Sequence, residues 1–280
     1  MIAFSIGSID IYWYGIFYFI AFLVGYLFFH RITKQNIFWT KFPRMQTFFQ
    51  KHIDELILCI FFGILIWWRL GHVVIYDVQY YLAHPADIFQ IRKWWMSFIG
   101  WMIGVTIALV GLARSKKFKF KEIVLLFDII LAIVPFGIMI WRIGNFLNQE
   151  LYGVVVSDWL PRLWYPVFSI FNDLHIFQVY PQVDLQLRVN TNFLASLLEG
   201  LVLLILTLSI VRKRVKTKSP QPGKIVAVFL IWYSFIRFVL EYLRADSQLE
   251  FHGRFTTSQR FFLWFFLLGV MTLVYRKRFK

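Results

Sequence analysis

Long apolar stretches alternate with short polar connections along the whole chain. At a helical rise of ~1.5 Å per residue, roughly 30 Å of hydrocarbon needs about 20 residues. Runs near that length lie at about residues 11–29, 56–76, 97–113, 123–140, 193–211, 225–243 and 261–275, the last being short unless its helix begins near Thr256. Backbone in lipid must satisfy its own hydrogen bonds, so such runs predict helices and not barrel strands. The expectation is an all-α integral membrane protein with seven transmembrane helices, forming a single multi-pass domain over residues 1–280. The longest polar stretch, about residues 142–192, mixes Pro, Asp, Asn and aromatics and predicts a small extracytoplasmic cap between the fourth and fifth spans.

Lysine and arginine set the orientation, because loops rich in them stay cytoplasmic. Residues 31–51, 114–121, 212–224 and 276–280 hold 5, 5, 6 and 4 of them, whereas the alternate connections carry only Arg92 and Lys93, then Arg142, Arg162 and Arg188, then Arg244, Arg254 and Arg260. The N-terminus is therefore expected outside and the C-terminus in the cytoplasm. The first run has no basic flank before it and no small-residue cleavage site, so it reads as a retained anchor.

Composition agrees with a membrane class. The 280 residues are 59% hydrophobic and 16% charged, with mean hydropathy +0.64, which is too apolar for a soluble domain. A net charge of +15 raises the question of nucleic acid, but the basic residues fall in blocks between spans with no nucleic-acid-binding motif, so no nucleic-acid partner is expected. Cys59 is the only cysteine, which excludes an intrachain disulfide and a cysteine metal cluster.

Charges inside the spans carry the candidate chemistry, since they are costly in lipid. Tyr233, Arg237 and Glu241 recur every four residues, which stacks phenol, guanidinium and carboxylate along one face of the sixth span, with Arg244 three residues on. Either this face forms a basic site or it clamps the helix to a neighbour. Arg69 lies in the second span within snorkelling reach of the outer interface. Asp128 in the fourth span and Glu199 in the fifth read as helix-contact carboxylates. Arginines near the outer leaflet suit an anionic lipid headgroup, because guanidinium binds phosphate through a planar fork.

At residues 141–153 the chain reads WRIGNFLNQELYG. This resembles the signature of the prolipoprotein diacylglyceryl transferase family, G-R-x-G-N-F-x-N-x-E-x-x-G, with only the first Gly missing. WYG at 13–15, RLGH at 69–72, YYLAHP at 80–85, Asp128 with Pro135, LLEG at 197–200, the Y-x-x-x-R-x-x-x-E face and TTSQ at 256–259 look like the family's other blocks, in the same order.

The resemblance implies a transferase of the bacterial plasma or inner membrane. The thiol of a lipobox cysteine in a prolipoprotein signal peptide would attack the glyceryl carbon that bears phosphate in phosphatidylglycerol. A thioether would form and glycerol phosphate would leave. Arg142 and Arg237 would then face phosphate, Asn145 would supply amide hydrogen bonds, Glu150 and Glu241 would orient the guanidinium groups, and Tyr14 and Tyr233 would line the site. Asn148, Gly153 and Arg69 complete the implied substrate-binding set. No metal or organic cofactor is implied. The alternative is a relative on the same scaffold that binds or transports anionic phospholipid without transferring it.

The sequence departs from the family at several points. Its M-S-F-H-G-G block appears as MSFIGW, so Ile99 stands at the position of a histidine treated as the general base, and isoleucine cannot take a proton. RVNTNFLAS from Arg188 stands where R-H-P-S-Q-L-Y-E is usual and loses a His, a Pro and a Glu. Trp67, Trp68, Trp94, Trp95, Trp101 and Trp141 occupy places where the resembling blocks carry Gly or another small residue, whereas Trp13 and Trp164 fall where an indole is expected. Overpacking costs typically ~1 to 3 kcal/mol per insertion, so these indoles need either a remodelled pocket or another origin. The expected origin is UGA codons that mean glycine in the source and were read as tryptophan. Sequencing the gene decides this: UGA at the six positions with UGG at Trp13 and Trp164 is the expected result, and UGG throughout overturns it.

Overall fold

The computed structural model describes residues 2–7, 9–34, 41–75, 78–89, 98–156, 176–217, 219, 221–247 and 255–276, with the side chains of residues 9, 68, 69, 72, 75, 89, 98 and 99 outside the description. The chain forms two compact units, one of residues 1–28 with 124–280 and one of residues 29–123.

In the first unit, α1 (Trp13–Lys34) begins directly after a hairpin of β1 (Ile2–Ile6) and β2 (Ile9–Tyr12). This corrects the all-α expectation and shortens the first apolar run at its start. Apolar and other residues alternate on both sides of the turn, Gly7 supplies the left-handed φ of 60°, and the Ser5 hydroxyl donates to Asp10 Oδ1 at 2.6 Å. The second correction is a short antiparallel pair, β3 (Phe177–Val179) with β4 (Leu187–Val189), in the region expected to form the cap.

The fourth apolar run is a helix broken near its middle, α6 (Phe120–Leu131) then α7 (Val134–Leu147), with Pro135 at the start of the second half. A break at this depth frees carbonyls that need partners. Thr207 donates its hydroxyl to Ala132 O at 2.9 Å from α8 (Thr191–Thr217). Residues Ser196–Val202 of α8 form a π-helical stretch, and Trp232 Nε1 donates to the Leu198 carbonyl within it at 2.9 Å. The unit is completed by α9 (Lys224–Glu241) and α10 (Thr257–Tyr275). Thr256 and Gln259 close a capping box at the start of α10, which gives TTSQ a physical meaning. A Cβ on Gly269 would lie 2.9 Å from Leu230 Cβ, so α10 and α9 pack at a distance that this glycine permits.

The end of this unit where α8 finishes and α9 starts is fastened by Asp128. Its buried carboxylate accepts from Arg214 Nη2 at 2.9 Å, Gly223 N at 2.7 Å and Val226 N at 2.8 Å. Asp128 thus neutralises a buried guanidinium and occupies the positive N-terminus of α9. The helix-contact reading of Asp128 is what the geometry supports. Asp128→Ala leaves Arg214 buried without its carboxylate, and a loss of ~3 to 5 kcal/mol is expected. Unfolding in detergent checks this, and an unchanged midpoint would remove the clamp role.

The second unit holds α2 (Pro43–Lys51), α3 (Ile53–Ile75), α4 (Val78–Ala83), a 3₁₀ turn at Pro85–Phe89 and α5 (Phe98–Ser115). The short amphipathic α2 buries Met45, Phe48 and Phe49 and turns Arg44 and Lys51 outward. Helices α3 and α5 meet through glycines: a Cβ on Gly71 would lie 2.3 Å from Gly100 Cα, and one on Gly104 would lie 2.1 Å from Trp67 Cβ. Trp67 therefore sits on the seam of the crossing, accommodated because residue 104 has no side chain. Trp101 is half-buried on α5, and the Trp141 ring on α7 lies 6.2 Å from that of Tyr18. Trp68, Trp94, Trp95 and Trp164 fall outside the described side chains.

Every apolar run in the sequence meets a helix. Among the described residues, four helices are long and apolar enough to cross a membrane by length and composition: Trp13–Lys34, Phe120–Leu147, Thr191–Thr217 and Thr257–Tyr275. The protein is a predominantly helical membrane protein.

Candidate functional site

The end of the first unit opposite Asp128 gathers the start of α1, the ends of α7 and α9, and the start of α8. Arg142 is on α7, one turn from its end, and Arg237 and Glu241 lie on the last turns of α9. The side chain that joins them is Glu199, fully buried in the π-helical stretch of α8. Arg142 Nη2 donates to Glu199 Oε2 at 3.1 Å, and Arg237 Nη1 lies 3.7 Å from Glu199 Oε1. Arg237 Nη2 is 3.3 Å from Glu241 Oε2, and Arg244 Nη1 is 3.5 Å from the same oxygen. Ser247 donates its hydroxyl to Glu241 Oε1 at 2.9 Å. Tyr233 is buried within electrostatic reach of Arg142, Arg237, Glu199 and Glu241.

Two features of this cluster are chemical and not merely structural. Among the described residues Arg237 makes no hydrogen bond: Glu199 Oε1 at 3.7 Å is too distant for one, and Glu241 Oε2 at 3.3 Å is an ion-pair contact only. Buried donors are ordinarily satisfied, so this guanidinium presents an open fork. Moreover, three guanidinium groups, those of Arg142, Arg237 and Arg244, gather on two buried carboxylates, those of Glu199 and Glu241, and the third counter-charge is Asp246, which pairs with Arg244 from a half-exposed position. A phosphodiester supplies the acceptors that Arg237 lacks among the described residues.

A second cluster lies one turn along α7. The Tyr14 hydroxyl donates to Glu150 Oε1 and accepts from Asn145 Nδ2 at 2.7 Å. Asn145 and Asn148 each place an amide nitrogen 3.3 Å from the same Glu150 oxygen. Asn145 Oδ1 is buried and has no donor among the described residues. The packing that allows this is local. A Cβ on Gly144 would lie 3.1 Å from the Tyr14 ring, and one on Gly153 would lie 2.4 Å from Val189 O and 2.9 Å from Leu243 O. Gly153 bridges to Arg244, so it ties the motif to the end of α9. Burial raises the pKa of Glu150 above the ordinary carboxylate value, against the pull of the amino-terminal charge.

The structure thus brings together Arg142, Arg237, Glu241 and Tyr233 in one cluster and Tyr14, Asn145, Asn148 and Glu150 in another, with Gly153 as a packing contact. The Glu150 carboxylate is held by a phenol and two amides and, among the described residues, by no guanidinium, whereas Glu241 contacts two, those of Arg237 and Arg244. The Arg69 side chain lies outside the described residues. Glu199 is the residue that reading the sequence undervalued. Its signal was a carboxylate inside an apolar run next to Gly200, where a Cβ would lie 2.6 Å from Met139 Cβ, so that α8 and α7 approach closely enough for Glu199 to reach Arg142. The altered segment after Arg188 also has work to do. Thr191 Oγ1 donates to Leu151 O and Asn192 Nδ2 to Glu150 O, both at 2.7 Å, while Asn190 caps α8 by accepting from Phe193 N at 3.0 Å.

Comparison with known proteins bears on this arrangement. The family model described as prolipoprotein diacylglyceryl transferase matches residues 1–275. A phosphatidylglycerol–prolipoprotein diacylglyceryl transferase of Proteus mirabilis (strain HI4320) is 30% identical over 287 residues, covering 99% of this chain and 92% of the relative. Proteins of the same name from Photorhabdus laumondii and Yersinia pestis (strain Pestoides F) are also 30% identical, covering 98% and 99% of this chain and 91% and 93% of their own lengths. The chain belongs to the prolipoprotein diacylglyceryl transferase family.

Proposed function

We propose that this protein transfers the diacylglyceryl group of phosphatidylglycerol to the lipobox cysteine of prolipoproteins. It does so in a bacterial plasma or inner membrane, with seven spans, the N-terminus outside, the C-terminus cytoplasmic and the cap external. The observation that carries the reading is the open Arg237 fork beside Arg142, both set on Glu199. The headgroup phosphate binds across the two guanidinium groups, and Asn145 Oδ1, which has no donor among the described residues, accepts from a hydroxyl of the headgroup glycerol. Attack by thiolate on the glyceryl carbon forms the C–S bond and breaks the C–O bond to phosphate. The electron pair leaves with glycerol phosphate, whose growing charge the arginines stabilise more in the transition state than in the bound lipid. The chemistry calls on no metal or organic cofactor. Nothing observed favours a relative that holds phospholipid without transferring it.

Complementation of a bacterium depleted of its own transferase tests the function. Growth and thioether-modified lipoprotein are the expected result. Failure of a well-expressed, membrane-inserted protein to modify any precursor, with phosphatidylglycerol still bound, would overturn transfer.

A further inference from the structure

We propose that Glu150 takes the proton from the substrate thiol. The inference rests on the transfer reaction above and concerns a step that the arginine cluster cannot perform. A thiol with pKa about 8.5 is a poor nucleophile until it ionises, and a proton acceptor must lie at the reacting atoms. Among the described residues the site contains four carboxylates, of which Asp246 pairs with Arg244 from a half-exposed position. Glu199 and Glu241 each serve as ion-pair partners that hold guanidinium groups in place. Among the described residues Glu150 accepts hydrogen bonds only from neutral donors: the Tyr14 phenol from α1 and the Asn145 and Asn148 amides from the end of α7.

The geometry singles out one oxygen. All three donors converge on Oε1, and Oε2 accepts from none of the described residues. The carboxylate is held in place from behind. Asn192 grips the Glu150 carbonyl at 2.7 Å, Thr191 grips that of Leu151 at 2.7 Å, and Glu150 N donates to Asn145 O at 3.1 Å. Gln149 and Leu151, its two neighbours, both adopt left-handed φ of 54°, a cost that non-glycine residues bear where surrounding contacts over-determine the backbone. Oε2 thus presents a fixed, unshared lone pair beside the amide and phenol that would meet the headgroup. The electrostatic setting fits, since burial raises the Glu150 pKa and so its strength as a base, with the amino-terminal charge opposing.

The step balances. The S–H bond breaks, its proton moves to Glu150 Oε2, and the thiolate forms the C–S bond while the C–O bond to phosphate breaks. The proton on Glu150 then passes to the departing phosphate monoester or to water, which restores the carboxylate. Tyr14 keeps its hydrogen bond to Oε1 throughout and acts as a positioning residue.

The test compares wild type, Glu150→Gln and Glu150→Asp in detergent–phosphatidylglycerol micelles, with a lipobox peptide carrying either cysteine or selenocysteine. Glu150→Gln is expected to lose about 10²- to 10⁴-fold with the cysteine peptide near neutral pH and to recover as the pH rises towards the thiol pKa. It should approach wild type with the selenol, which ionises without help. Should Glu150→Gln fail to fold, Glu150→Asp carries the test through its enlarged selenocysteine-to-cysteine rate ratio. A loss that is the same at every pH and for both nucleophiles would assign Glu150 a structural role and overturn the proposal. So would a large gain from Ile99→His in the wild-type background, because deprotonation would then lack an effective acceptor. Absence of transfer by wild type would count against the function itself and not against this assignment.

Discussion

Replacing Arg237 by alanine is expected to lower transfer by about 10²- to 10³-fold or more, the scale on which removal of one preorganised donor acts on a developing anion. The loss should appear in kcat as well as in lipid affinity, because the phosphate gains charge as it leaves. Arg237→Lys is the sharper variant. It keeps the positive charge, so Glu199 and Glu241 stay neutralised, but an ammonium cannot reproduce a planar fork that makes ion pairs and no hydrogen bond with the two carboxylates. Lysine should therefore leave the protein folded and largely inactive. Turnover of micelle-embedded phosphatidylglycerol checks both variants, and full activity in Arg237→Lys would argue that no bidentate phosphate contact exists.

The second large effect is expected at Glu199. Removing this carboxylate in Glu199→Ala leaves Arg142 and Arg237 in repulsion at a nearly dry site, and breaking a buried pair in this way costs ~3 to 5 kcal/mol. Both the unfolding midpoint and transfer should fall. Glu199→Gln separates the two effects, since an amide can still accept the Arg142 hydrogen bond seen at 3.1 Å while removing the charge. Stability should then recover in part while activity stays low, because the arginines lose their common reference point. A Glu199→Ala protein with wild-type stability and turnover would show that the guanidinium groups are placed by something else.

Much of this was readable from spacing. Tyr233, Arg237 and Glu241 share a helix face because their interval matches the α-helical repeat, and the observed Arg237–Glu241 distance of 3.3 Å is its result. The apolar runs likewise located every long helix, since lipid imposes one solution on such sequences. What the chain does not announce are pairings between distant segments. Glu199 meets Arg142 across 57 positions and Tyr14 meets Glu150 across 136, and no periodicity encodes such partners. The first strands were hidden for another reason: the alternation of Ile2, Phe4 and Ile6 runs straight into the apolar start of α1, so a hydropathy reading extends the span over them. The motif's resemblance pairs Glu150 with a guanidinium, whereas its neighbours among the described residues are a phenol and two amides, set by two left-handed residues that sequence pattern does not reveal.

The π-helical stretch at Ser196–Val202 has a consequence for insertions and deletions. A π-type turn amounts to an extra residue threaded into an α-helix, and each added residue rotates the remainder of the helix by roughly 100°. Above it, Thr191, Asn192 and Glu199 engage the motif loop and Arg142; below it, Thr207 and Arg214 engage Ala132 and Asp128. The wider turns take up that one surplus position, so the two sets of anchors on one helix keep their phase. Deleting Leu201 would restore a regular α-helix with both sets still nearly in phase, whereas deleting a residue between the sets but outside the π stretch would turn one set by roughly 100° against the other, so that the helix could seat its reactive end or its clamped end but not both. The helix is therefore expected to tolerate a one-residue deletion at Ser196–Val202 far better than one elsewhere between its anchors.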